Sequence, residues 1–180
     1  MALSSTIYKV DLQISNMDSH YYQQHKLTIA KHPSETDERL MVRLLAFALY
    51  AHEQLCFGKG ISNEYEPALW LKDLTGAIDL WIDVGLPDER RVRKACGRSK
   101  QVVVISYGAH NAQRWWTQNQ ENFSNVTNLT IIQLAPNSTK ELATLADRNM
   151  NLICNIEDEQ LYFVGASSLS IEPVYLLKAK

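Results

Sequence analysis

Polar and apolar positions alternate at the start of the chain. Tyr8, Val10, Leu12 and Ile14 fall on one parity, and Ile7, Lys9, Asp11, Gln13 and Ser15 on the other. Period two with one apolar face predicts a half-buried strand. Residues 16–18 supply turn types, and residues 21–30 form a second strand with Leu27 and Ile29 on one face. An N-terminal hairpin follows. Past His32-Pro33, Ser34 suits a helix N-cap, with Glu35 and Glu38 placed well against the helix dipole. Residues 35–54 contain no Gly or Pro, and residues 40–51 are apolar nearly all round, broken by Arg43. A helix of that profile is buried on most sides.

Residues 68–72 are a short strand candidate, and residues 73–76 a turn. Residues 77–84 form a strand with Ile78, Leu80, Ile82 and Val84 on one face and Asp79, Trp81 and Asp83 on the other; a solvent-facing side is one reading of the two aspartates. Asp88 is a good N-cap for a helix to about residue 96, closed by Gly97 as C-cap. Val102-Val103-Val104-Ile105, within residues 101–107, marks a central strand covered on both sides. A helix over residues 109–121, a strand over 129–134 and a helix over 138–148 come next. A hairpin of residues 151–157 and 160–164 then turns at Asp158-Glu159, and a last strand lies near 170–177. The order predicts a mixed α/β (α+β) domain with β-rich ends, one unit over residues 1–180.

The composition, 46% hydrophobic and 21% charged, excludes a disordered chain. A net charge of −2 excludes a whole-protein basic field, so any nucleic-acid contact must rest on a local patch. Cys56, Cys96 and Cys154 are an odd number with no CxxC spacing, which suits free thiols in a reducing cytoplasm. The N-terminus carries no basic region followed by an apolar core, so no signal peptide is expected and the location expected is cytoplasmic. The longest apolar stretch, residues 44–51, is far shorter than the roughly 20 residues needed to span a bilayer, so no membrane association is expected.

The most informative stretch runs from residue 76 to 100. Two strand carboxylates, Asp79 and Asp83, precede a cationic helix bearing Arg90, Arg91, Arg93, Lys94, Arg98 and, just past it, Lys100. Arg91, Lys94 and Arg98 stand at i, i+3 and i+7, on one helix face, with Val92, Ala95 and Cys96 on the other. One reading is a solvated face whose bases pair with Asp88 and Glu89. The sharper reading is a phosphate-facing patch beside acidic metal ligands. Phosphodiester hydrolysis with Mg²⁺ needs hard oxygen ligands, often two or three carboxylates, and a cation for the developing charge. Asp79 and Asp83 lie roughly 13 Å apart along a strand, so one of them would bind with help from elsewhere. Glu38 is the best such donor. The histidines have no zinc spacing. Gly58-Lys59-Gly60 lacks the length of a phosphate loop. Trp115-Trp116 suits core more than a base-stacking platform.

His32-Pro33-Ser34-Glu35-Thr36, Leu69-Trp70-Leu71, Asp79-Leu80-Trp81-Ile82-Asp83-Val84-Gly85, Pro87-Asp88-Glu89, Arg93-Lys94-Ala95 and Trp115-Trp116 together resemble the YaeQ family of small bacterial proteins, over essentially the whole chain. The resemblance implies a fold similar to the PD-(D/E)XK, or restriction-endonuclease-like, nuclease superfamily. Its αβββαβ core would cover about residues 34–134, with the N- and C-terminal β-hairpins as additions. It implies Glu38 as the acid of the first core helix, Asp79 as the strand aspartate and Asp83 as the first acid of the D/E-x-K element. The lysine position of that element, two beyond Asp83, is Gly85; Lys94, on the following helix, is expected to substitute for it in space.

Two functions follow as expectations. The first is a Mg²⁺-dependent phosphodiesterase on nucleic acid, with Mn²⁺ as a substitute ion. Glu38, Asp79 and Asp83 would hold the metal, Lys94 would orient water, and Arg91 and Arg98 would bind substrate within the 90–100 basic segment. The second is a nuclease-fold module without catalysis that binds nucleic acid or a protein partner.

Overall fold

The computed structural model describes residues 4–59 and 63–180. The first three residues of the chain and Gly60 of the rejected phosphate loop lie outside them. The predicted hairpin forms from β1 (Thr6–Asn16) and β2 (Tyr21–Lys31), paired from Thr6 opposite Lys31 to Asn16 opposite Tyr21. Val10, Leu12, Ile14 and Ile29 are buried, as the alternation requires.

Helix α1 (Asp37–Leu49) starts later and stops earlier than predicted. Its N-cap is Thr36, whose hydroxyl accepts the Arg39 N–H at 3.1 Å. Ser34 is instead drawn into a 2.6 Å hydrogen bond with the His32 ring. At the far end Leu55 N–H donates to the His52 carbonyl and Gln54 N–H to the His52 ring. This local turn supplants helical bonds and leads into β3 (Cys56–Phe57). Nine consecutive residues, Leu40 to Ala48, are buried.

β3, β4 (Leu69–Lys72) and β5 (Ile78–Val84) run as an antiparallel meander. Helix α2 (Glu89–Arg98) crosses over to β6 (Ser99–Ser106), parallel to β5. Helix α3 (Ala109–Phe123) then leads to β7 (Leu129–Gln133), parallel to β6. Gly97 lies inside α2 and does not cap it; the chain passes through extended Ser99 directly into β6. Helix α4 (Pro136–Ala143) begins at its proline, a residue pre-set for the first helical turn.

β8 (Asn149–Glu157) and β9 (Gln160–Val164) form the predicted hairpin, with Asp158 and Glu159 both at positive φ. The single last strand predicted over 170–177 is two strands, β10 (Ser168–Ile171) and β11 (Val174–Leu177). Pro173, which has no N–H for a ladder, separates them.

Two mixed sheets result, ordered β10-β9-β8-β1-β2 and β11-β7-β6-β5-β4-β3. The terminal hairpins are therefore not separate additions: β8 pairs in parallel with β1 and fuses them into one sheet. One hydrophobic cluster joins the inner faces of both sheets through α1 and Leu142 of α4. The other face of the six-stranded sheet, through Trp81, Val102, Val104 and Ile131, packs on Val92 and Ala95 of α2 and Trp115 and Phe123 of α3. Trp115 is core, as expected, and its indole donates to the Pro87 carbonyl. Among the described residues no helix is long and apolar enough to cross a membrane.

Candidate functional site

The face of β5 that carries Trp81 and Asp83 is covered by α2, not by solvent. Asp83 is only 5% exposed. A carboxylate in that position needs partners of opposite charge. It has them: Arg91 Nε donates to Oδ2 at 2.9 Å and the same guanidinium donates to Oδ1 at 2.9 Å, while the Trp81 indole donates to Oδ2 at 3.0 Å. The two-pronged geometry is the strong form of a carboxylate–guanidinium pair. Bonding to Asp83 holds the guanidinium above its ordinary pKa, against the opposing effect of burial. Arg91 also donates to the carbonyls of Glu64 and Glu66, at 3.0 and 2.9 Å, and so ties that loop to the sheet. Asp88 sets the helix in register by accepting the Arg91 N–H at 2.8 Å.

The other proposed ligands stand elsewhere. Asp79 pairs with Lys100 on the neighbouring strand, with 2.5 Å between Nζ and Oδ1. Glu38 belongs to α1, which packs on the opposite face of the six-stranded sheet from Asp83. Its Oε1 accepts the buried Thr139 hydroxyl of α4 at 2.6 Å. Lys94 lies 5.3 Å from the centre of the Tyr65 ring. Among the described residues no group of three or more His, Cys, Asp or Glu side chains is placed to hold a metal ion. The Mg²⁺ centre implied by the resemblance does not fit these residues: each carboxylate is engaged by a different partner, and two of them face opposite sides of one sheet.

Gly85 explains the missing lysine. Its φ is +108°, where side chains are strained. The turn out of β5 requires this conformation, so a lysine two residues past Asp83 would cost backbone strain.

What the structure does bring together is the cationic face of α2. Arg90, Lys94 and Arg98 are exposed along a cleft of about 530 Å³, bounded by Tyr65, Trp81 and Arg91 and by the carboxylates Glu64 and Asp88 at its margin. Arg93 is turned away, paired with Glu89 at 2.7 Å and bonded to the Asn122 carbonyl. Another hollow, of about 420 Å³, lies over β1, β2 and β8. Of its lining residues, Lys9 donates to Thr28, and Asp11 accepts from Gln24.

Sequence reasoning missed two features. Tyr65 sits in a stretch without periodicity and gave no signal. The second is a buried ion pair: Glu35 accepts from Arg43 Nε at 2.8 Å and from its terminal nitrogen at 2.9 Å, and from Arg39 at 2.8 Å. Burial lowers the pKa of Arg43, opposed by Glu35. A lone charge inside an apolar run was the visible sign that a buried partner must exist.

Fold and site thus define a layered α/β protein with a cation-lined cleft beside a closed aspartate–arginine pair. The chain belongs to the YaeQ family: the family model described as "YaeQ protein" matches residues 1–173. It is 42% identical to YaeQ of Salmonella typhi over 166 residues, 92% of each chain. It is also 42% identical to YaeQ of Escherichia coli strain K12 over 158 residues, 88% of this chain and 87% of that one. The crystal structure of YaeQ from Xanthomonas axonopodis pv. citri superposes with a TM-score of 0.95 at 47% identity, covering 98% of this chain and all of that one. That from Pseudomonas syringae gives 0.93 at 32% identity, over 97% of both.

Proposed function

We propose that this protein binds nucleic acid through the α2 cleft without hydrolysing it. The observation that carries the reading is the contrast within one helix. Arg91 is consumed in closing Asp83, while Arg90, Lys94 and Arg98 remain exposed on the cleft. Three cations on one rigid element, on a chain of net charge −2, make a local phosphate site and not a general polyanion surface. The order α1, β3, β4, β5, α2, β6, with β5 and β6 parallel, supports a nuclease-like core as its scaffold. On that scaffold the acids that hydrolysis would require serve as structural partners.

Fluorescence anisotropy of labelled oligonucleotides across a salt series tests this. Binding should survive EDTA. With about three phosphates neutralised, log Kd should change with log salt at a slope of about 2–3, and Arg98→Ala should lower that slope by about 1. Mg²⁺ or Mn²⁺ should leave the melting temperature unchanged. Absence of binding at low salt overturns the proposal. So does metal-dependent cleavage that Asp83→Asn abolishes, which would restore the hydrolytic reading.

A further inference from the structure

We infer that the ligand of this cleft is single-stranded nucleic acid, held by base stacking as well as by phosphate contacts. The inference rests on the proposed binding function and names its substrate class.

Cations and aromatic rings alternate across the cleft and the adjoining face of the sheet. Lys94 lies 5.3 Å from the ring centre of Tyr65, and Arg91 and Arg98 lie 5.7 and 5.6 Å from that of Trp81. Trp81 meets Trp70 edge to face at 6.1 Å, and Lys72 stands 3.7 Å over the Trp70 ring. The three rings differ in availability. Trp81 is 2% exposed and serves as a floor, whereas Trp70 is half-buried and Tyr65 is 68% exposed.

Tyr65 thus offers a solvent-facing ring beside the cations of the cleft. The backbone that carries it is held in place: Arg91 bonds the carbonyls on both sides of Tyr65, and Tyr65 N–H donates to Asn63 Oδ1 at 2.9 Å. A backbone segment that is already tied down adds little ordering cost on binding. In a duplex the bases already stack on one another, and a protruding tyrosine gains nothing from them. In a single strand each base has a free face, and stacking on an aromatic side chain is tolerant of sequence. Arg91 and Arg98 stand about 10 Å apart along the helix axis, so the surface spans a few nucleotides. The strand would run past Arg90, Lys94 and Arg98, with a base on Tyr65.

Anisotropy titrations with a single-stranded DNA, a single-stranded RNA and a hairpin duplex of equal charge, at one salt concentration, test the inference. Single strands should bind at least about ten-fold tighter than the duplex. Tyr65→Ala should weaken single-strand binding by about 10- to 100-fold, the size of one stacked base, and bring strand and duplex to within about two-fold. Tyr65→Phe should restore it. Tight binding in either strand arm supports the proposal, and the stronger arm names the source. Equal binding of strand and duplex by the unaltered protein, or a Tyr65→Ala protein that binds strands normally, overturns it. Either result leaves the phosphate-binding reading intact if Arg98→Ala still weakens binding. Failure of every oligonucleotide to bind overturns both.

Discussion

Replacing Arg91 by Met should damage this protein more than neutralising the aspartate it serves. The substitution keeps most of the aliphatic stem and removes the guanidinium, which leaves Asp83 with the Trp81 indole as its one remaining donor among the described residues. The Asp83 side chain is 6% exposed, so water cannot take the place of the lost donors; Arg91 is 27% exposed. Removing one partner of a buried pair costs about 3–5 kcal/mol. Partial exposure of the arginine side puts this case at the lower end, about 3 kcal/mol. For a chain of this length each kcal/mol corresponds to about 2–4 °C, so the melting temperature should fall by about 6–12 °C. Asp83→Asn leaves a guanidinium that still reaches the Glu64 and Glu66 carbonyls and the solvent of the cleft. That change should cost about 1–1.5 kcal/mol. The double variant should be less impaired than the sum of the two, by roughly 1–2 kcal/mol. Urea unfolding followed by tryptophan fluorescence and far-ultraviolet circular dichroism measures all three. Equal penalties for the single changes, or an Arg91→Met penalty below about 1 kcal/mol, would show that Asp83 is not held as a buried ion. It would then be free to serve another role.

Two further outcomes probe other parts of the fold. His25 lies against the edge of Phe47 and shares a 2.6 Å hydrogen bond with the Tyr21 hydroxyl; burial lowers its pKa below 6.5, with Glu53 opposing. Between that lowered value and 6.5 the unfolded chain takes up a proton that the folded chain refuses. Stability should therefore decline as pH falls through this window, and His25→Gln should flatten the decline in urea midpoints measured between about pH 7.5 and pH 5. Gly58 donates to the Ala68 carbonyl, and a Cβ there would overlap the Pro67 backbone oxygen. Gly58→Ala should cost about 1–3 kcal/mol, seen as a lower melting temperature and faster amide exchange in β4; an unchanged exchange pattern would count against the β3–β4 pairing.

Periodicity along the chain determined most of the scaffold. The alternation of Val10, Leu12 and Ile14 specified β1, the apolar run around Leu44, broken by Arg43, specified a helix buried on most sides, and Val102 to Ile105 specified a central strand. These signals are local because a side chain's face follows from its position in a repeat of two or of 3.6. Boundaries were less legible. Thr36 prevailed over Ser34 as a cap because the His32 ring took the serine hydroxyl, and Pro173 split a strand that hydropathy alone left whole. The partners of charged groups were decided by tertiary structure. Glu38, Asp79 and Asp83 had the residue types of a metal centre, yet Thr139, Lys100 and Arg91 engage them one by one. Which charge meets which depends on the packing of α1, α2 and α4 about two sheets, at separations no repeat encodes. The strength of each pair is then set by how much water that packing excludes.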